Sequence, residues 1–113
     1  MSKRNPQLLL EDILLAIDKI ERYTTDFTKE TFLADEKTID AVVRNLEIIG
    51  EAVRQLPDNF KMAHSDIPWW QVAGLRNRIV HDYFGLDQEI IWQIIEKDIL
   101  DLRSKILSLT TSS

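Results

Sequence analysis

The chain has 113 residues, of which 44% are hydrophobic, with three glycines, three prolines and no cysteine. This composition supports a folded core, argues against a turn-rich β protein, and excludes disulfides and thiolate metal sites. The net charge of −5 argues against a general nucleic-acid binder, because basic side chains supply most non-specific affinity for phosphate. One all-α domain over residues 1–113 is expected.

Apolar residues at helical spacing predict four helices joined by short connections. The first is expected at about Pro6–Tyr23, with proline in its first turn. A short extra helical turn is expected over Lys29–Leu33. The second long helix is expected at about Glu36–Leu56, with Asp35 as its N-cap and Pro57 ending it.

The second half of the chain predicts two further helices. Residues 58–66 are typical of a connection with about one helical turn. A third helix is expected from Pro68 to about Phe84, closed by Gly85, and a fourth after its N-cap Asp87, with a frayed tail at 110–113. Short connections favour antiparallel neighbours, so the expected fold is an up-down four-helix bundle.

The N-terminal amphipathic stretch is interrupted by Glu11, Asp12 and Asp18. These charges argue against a signal peptide, and no apolar run is long enough to cross a membrane. A cytoplasmic protein without a membrane partner is expected.

The most unusual segment lies near the end of the third predicted helix and reads Arg76-Asn77-Arg78-Ile79-Val80-His81-Asp82-Tyr83. At about 100° per residue, Arg76, Asn77, His81 and Tyr83 can line one broad face of a helix. However, His81 lies about 140° from Arg76 on an ideal helix. The two can meet through the reach of the arginine, through a distorted helix end, or across a two-fold interface.

Arginine and histidine together are suited to RNA cleavage without a metal or cofactor. The guanidinium matches phosphate oxygens and stays charged, and histidine exchanges a proton near neutrality. His81 would assist proton transfer from the ribose 2′-OH or to the leaving 5′-oxygen. Arg76 would stabilise the charge of the phosphorane-like transition state, and cyclic-phosphate ends would follow.

The pattern Arg76-x4-His81-x-Tyr83, with Asn77 after the arginine, resembles the signature of HEPN domains, most closely the HepT toxin branch. The sequences of residues 43–52 and 69–83 also resemble that branch. The resemblance implies a homodimeric, metal-independent endoribonuclease whose paired motifs face a cleft at the dimer interface. Arg76 and His81 would then be the catalytic pair, and Asn77 a supporting polar residue.

The resemblance also implies a partner and a control point. In this branch the antitoxin is a minimal nucleotidyltransferase, which resembles enzymes that transfer AMP from ATP to the motif tyrosine. Tyr83 would be the acceptor of this adenylylation (AMPylation). The added phosphodiester would compete with substrate phosphate for Arg76 and neutralise the toxin.

Simpler interpretations stand beside these. Arg76 is also suited to be a helix-end cation, His81 to cap carbonyls, and Tyr83 to be a half-buried aromatic. The alternative function is a non-catalytic nucleotide- or RNA-binding helical subunit of a nucleotidyltransferase complex. A purely structural dimerising bundle leaves the motif unexplained.

A charged row recurs at helical spacing on the second long helix: Arg44, Glu47, Glu51 and Arg54. A solvated, salt-bridged face is the common outcome for such a row. The functional interpretation places Arg44, Glu47 and Glu51 at the rim of the cleft, without a catalytic role.

Three tryptophans allow base stacking, but core or interface packing is the prediction for Trp69, Trp70 and Trp92. His64 is assigned no site, because the only other histidine offers no useful ligand spacing.

Overall fold

The computed structural model describes residues 5–74 and 88–111. Within these ranges it contains six helices and no strand, which confirms the predicted all-α fold. The helices are α1 (Pro6–Thr24), α2 (Lys29–Leu33), α3 (Glu36–Gln55), α4 (Asp58–Ala63), α5 (described over residues 69–74) and α6, which consists of Gln88–Gln93, the π-helical segment Ile94–Asp98 and Ile99–Thr111.

The ends of α1 follow from short polar side chains. The Asn5 Oδ1 accepts a hydrogen bond from the backbone N–H of Gln7 at 2.7 Å, and Pro6 occupies the first turn. At the other end, the hydroxyls of Thr24 and Thr25 donate to carbonyls one turn earlier, each at 2.8 Å. The helix ends one residue beyond the predicted Tyr23.

The predicted N-cap of α3 is confirmed. The Asp35 Oδ1 accepts a hydrogen bond from the backbone N–H of Thr38 at 3.1 Å. At the C-terminal end, Leu56 is extended, as expected for a residue before proline, so the helix ends at Gln55 rather than at Leu56.

Replacing Asp35 with alanine is expected to lower the free energy of unfolding by about 1 kcal/mol, because the Thr38 N–H loses its acceptor. Urea denaturation measures the change. Asp26→Ala is the matched control, because Asp26 is exposed and lies outside the helices. An Asp35→Ala loss no larger than that of the control would show that the cap does not stabilise α3.

The core lies between α1, α3 and α6. The most extensive packing between helices joins α1 and α3, and α6 packs against α1. Side chains that are at most 1% exposed include Ile13, Ile17, Ile20, Leu46, Ile49 and Ile106. At the surface, the Arg103 Nη1 lies 3.1 and 3.0 Å from the two Glu21 carboxylate oxygens and links α6 to α1.

The helical connections are confirmed in part. α2 has the predicted bounds, and α4 is the predicted turn within residues 58–66. The C-terminal helix continues through Thr111, whereas the sequence predicts a frayed tail from residue 110. The predicted caps Gly85 and Asp87 lie outside the described residues. No helix in the described ranges combines the length and apolarity that crossing a membrane requires.

Candidate active site

The four motif residues Arg76, Asn77, His81 and Tyr83 lie outside the described residues. The described part of α5 ends at Gly74, two positions before Arg76. The structure therefore shows how the residues that precede the motif are packed, and the roles of the motif residues remain predictions.

An aromatic cluster of Phe60, His64 and Trp69 holds the start of α5 against α4. Trp69 is 2% exposed, and its indole Nε1 donates a hydrogen bond to the His64 carbonyl at 3.0 Å. The Phe60 ring lies 4.7 Å from the His64 ring and 6.1 Å from the Trp69 ring, between centroids. Val72, three residues after Trp69 and on nearly the same face of α5, is buried as well, so this face packs against the core.

A cleft of about 520 Å³ opens between the start of α5 and helix α6. Its described walls are Pro68, Gln71, Val72, Gly74, Asp98, Asp101 and Leu102. Apart from its chain neighbours and its own helix backbone, no described atom lies within 4 Å of the position that a Gly74 Cβ would occupy, so the cleft is open beside the last described residue before the motif.

The α6 wall of this cleft is acidic. Asp98 is the last residue of the π-helical segment, and π-helical turns often mark functional sites. Asp101 carries an ion pair with Lys105, in which Nζ lies 3.1 Å from Oδ2. Exposed carboxylates repel phosphate, and the Lys105 ammonium reduces this repulsion at Asp101.

The charged row on α3 lies largely at the surface. Arg44 and Glu51 are exposed and Glu47 is half-buried. Glu51 pairs with Arg54 at 3.7 Å between Oε2 and Nη1, whereas no described residue lies within salt-bridge distance of Arg44 or Glu47. The row is thus partly salt-bridged, and its place at a cleft rim stays a prediction.

The tryptophan prediction is confirmed at two positions. Trp69 is in the core, and the half-buried Trp92 lies 5.1 Å from the Phe32 ring, between centroids. Trp70, in contrast, is 66% exposed in the single chain, so of the two predicted alternatives core packing is wrong for it and interface packing stays a prediction. Its ring lies 4.6 Å from the Lys61 ammonium, a contact that the sequence gives no sign of.

Within residues 5–74 and 88–111, no three His, Asp or Glu side chains are grouped to hold a metal ion. The described residues that sequence reasoning missed are Lys61, Asp98 and Asp101. Nothing in the spacing of these residues distinguishes them from ordinary surface charges.

Comparison with known proteins covers most of the chain. The family model "Ribonuclease HepT-like" matches residues 13–109, a range that includes the whole motif. A "Probable ribonuclease HepT" from Thermococcus cleftensis is 45% identical over 103 residues, which cover 91% of this chain and 94% of the relative. No solved structure matches the chain at a significant level.

Two further relatives are named as ribonucleases. A "Putative RNase" from Methanocaldococcus jannaschii is 44% identical over 95 residues, covering 84% of this chain and 78% of the relative. Another, from Caldanaerobacter subterraneus subsp. tengcongensis, is 39% identical over 103 residues, covering 91% and 92%. The predicted family and enzyme class, an endoribonuclease, are thereby confirmed: the chain belongs to the family of HepT-like ribonucleases.

Proposed function

We propose that this chain is a metal-independent endoribonuclease that acts in the cytoplasm as the toxin of a toxin–antitoxin pair. The observation that carries the proposal is the pattern Arg76-x4-His81-x-Tyr83, which falls inside the 13–109 range matched by the HepT-like ribonuclease family. Family membership supports an RNA substrate, and the motif supplies groups able to cleave one.

The proposed reaction is an internal transesterification. The ribose 2′-oxygen attacks the adjacent phosphorus while the bond to the 5′-oxygen breaks, which leaves a 2′,3′-cyclic phosphate and a 5′-hydroxyl. His81 exchanges a proton with the 2′-OH or the leaving oxygen. Arg76 donates hydrogen bonds to the non-bridging oxygens as negative charge develops there, and Asn77 supports the pair.

The proposed active site is shared by two protomers. Because Arg76 and His81 lie about 140° apart on an ideal helix, one helix does not easily bring them together. In a two-fold dimer, the arginine of one protomer can meet the histidine of the other. The cleft beside Gly74 leads into this site, with Arg44, Glu47 and Glu51 at its rim.

The proposed control point is Tyr83. A nucleotidyltransferase antitoxin would join the tyrosine oxygen to the α-phosphorus of ATP and release pyrophosphate. The product carries an anionic phosphodiester and a bulky nucleoside beside Arg76. Both features oppose binding of RNA phosphate.

The experiment that tests the function compares the native protein with an Arg76→Ala/His81→Ala double variant on one RNA in excess EDTA. Intact mass is measured first, because a gain of one or more AMP units would mean that the sample was inhibited. Cleavage by the native protein alone supports the proposal. Binding without cleavage by a folded, unmodified native dimer would instead favour the alternative of a non-catalytic subunit.

Tyr83→Phe is expected to cleave RNA at a rate within a few-fold of the native rate but to resist the antitoxin. The ring is retained, and only the hydroxyl that accepts AMP is lost. The measurement is RNA cleavage before and after incubation with the nucleotidyltransferase and ATP. The native protein should lose activity and gain mass, and the variant should do neither. Inhibition of the variant by AMP transfer would assign the modification to another residue.

A further inference from the structure

Lys61 is the one buried charged side chain among the described residues, with 4% of its surface exposed. The aliphatic stem accounts for this burial: no buried side-chain nitrogen among the described residues lacks a hydrogen-bond partner, so the Lys61 ammonium keeps contact with solvent. No carboxylate in residues 5–74 and 88–111 lies within salt-bridge distance of it. Its ammonium lies 4.6 Å from the centroid of the Trp70 ring, which is a cation–π contact.

Trp70, unlike Lys61, is largely exposed. It is 66% exposed although an ammonium lies over its ring, so much of the indole surface remains open to solvent. Met62 beside it is 75% exposed. An open aromatic surface beside a solvent-accessible cation that has no carboxylate partner among the described residues is suited to a ligand that is both flat and anionic.

These residues share a pocket of about 370 Å³ at the α4–α5 corner, here called the Lys61–Trp70 pocket. Its walls are Lys61, Met62, Ser65, Ile67, Pro68, Trp69, Trp70 and Gln71. The volume lies within the range of small-molecule sites. Pro68 and Gln71 also line the cleft beside Gly74, so the pocket and that cleft adjoin.

We propose that the Lys61–Trp70 pocket binds one nucleotide of single-stranded RNA, next to the segment that is cleaved. The base stacks on the open surface of Trp70, and its phosphate pairs with the Lys61 ammonium. Stacking on an exposed aromatic beside a cation is the usual way in which proteins hold unpaired nucleotides. The assignment of RNA rests on the proposed function.

The pocket also supplies positive charge that an acidic protein needs to hold RNA. A protein with net charge −5 needs local cations to hold RNA, and the α6 wall of the cleft carries Asp98 and Asp101. The pocket offers a cation from α4, and it shares Pro68 and Gln71 with that cleft. A strand held there would continue across Pro68 and Gln71 toward Gly74, the last described residue before the motif. Because duplexed bases are not free to stack on a side chain, the pocket favours unpaired RNA.

The test uses an oligoribonucleotide of about ten residues with 2′-O-methyl groups, which lacks the nucleophile and so reports binding without cleavage. Fluorescence anisotropy gives its dissociation constant. Trp70→Ala is expected to weaken binding about 5- to 140-fold, the range for loss of one base stack. Trp70→Phe should restore most of the affinity, because a ring is retained.

Lys61→Met keeps the aliphatic stem and removes the charge. We expect weaker binding and a plot of log affinity against log salt that is shallower by about 0.7, the contribution of one phosphate contact on a single strand. Lys61→Arg should retain the native slope. A merely structural role for Lys61 would leave the slope unchanged. Controls are Lys37→Met and Leu15→Ala, which alter exposed residues of α3 and α1.

Native affinity in Trp70→Ala, or no binding of the probe by the native protein, would overturn the proposal. If the native protein fails to bind the probe while Trp70→Ala loses affinity for the nucleotidyltransferase, the pocket is a protein-binding surface instead. If the native protein cleaves RNA but Trp70→Ala binds the probe as tightly as the native protein does, the proposed function stands and the pocket is rejected. Trp70-dependent binding without cleavage would retain the pocket and reject the proposed function.

Discussion

Alanine at either Arg76 or His81 is expected to lower the rate of RNA cleavage by about 10²- to 10⁴-fold. The histidine variant loses proton transfer, and the arginine variant loses charge stabilisation in the transition state. Arg76→Lys should recover little of the rate, because an ammonium lacks the planar fork that contacts two phosphate oxygens. Single-turnover cleavage of one labelled RNA measures all three variants.

Arg78→Ala is the matched control for these variants, because it removes an arginine two positions away that the proposal leaves outside the site. It should cleave RNA at nearly the native rate. All variants should melt near the native temperature, so that a lost rate reports chemistry rather than unfolding. Native rates in both Arg76→Ala and His81→Ala would contradict the assigned roles.

Mixing the two inactive variants extends this prediction to the arrangement of the site. If each site takes Arg76 from one protomer and His81 from the other, a mixed dimer holds one intact site. Random mixing then restores about a quarter of the native activity, because half of the dimers are mixed and each has one working site of two. No recovery after verified exchange of subunits would place both residues of a site in one protomer.

Trp69→Ala is expected to lower the free energy of unfolding by about 3–5 kcal/mol, the usual cost of removing a large buried aromatic side chain. The change leaves a cavity at the α4–α5 corner and removes the hydrogen bond to the His64 carbonyl. Urea denaturation of the native and variant proteins measures the difference. Trp69→Phe should lose less, because its ring still packs beside Phe60.

The neighbouring tryptophan provides the control. Trp70 is 66% exposed and its one described ring contact is with the Lys61 ammonium, so Trp70→Ala should lower the free energy of unfolding by no more than about 1 kcal/mol. Equal losses for the two variants would contradict the description of the aromatic cluster as the anchor of α5. A large loss for Trp69→Ala alone would confirm it.

Local signals in the sequence predicted the helices well. Asp35 and Pro57 bracket α3 because a carboxylate accepts from the first turn and a proline constrains the residue before it. The apolar residues that recur along α1 are the ones that are buried, because a 3.6-residue period places them on one face of the helix. Such features depend on residues within a turn or two of each other.

Features that depend on tertiary packing were not predictable in this way. Trp69 and Trp70 are adjacent and chemically identical, yet one is buried and the other is exposed. Lys61 lies in a helix of six residues, too short for a period to reveal which side is buried. The π-helical segment Ile94–Asp98 likewise interrupts an apolar stripe that looks regular in the sequence.

The properties of the motif were predictable only in part. The residue types indicate the chemistry. Arg76 supplies a planar guanidinium that binds phosphate, His81 a group that exchanges protons near neutral pH, and Tyr83 a hydroxyl that can accept AMP. Whether Arg76 and His81 meet depends on atomic positions that spacing alone does not provide. Family membership establishes the enzyme class, and the shared site remains our proposal.

The measurement that tests the central claim most directly is product analysis on a matched pair of substrates in excess EDTA. One is an RNA that the native protein cleaves, and the other has a single 2′-deoxy nucleotide at the cleaved position. We predict a 2′,3′-cyclic phosphate and a 5′-hydroxyl from the first, and no cleavage at that position in the second. Cleavage of both substrates, or products with a 5′-phosphate, would contradict attack by the ribose hydroxyl and the roles of Arg76 and His81.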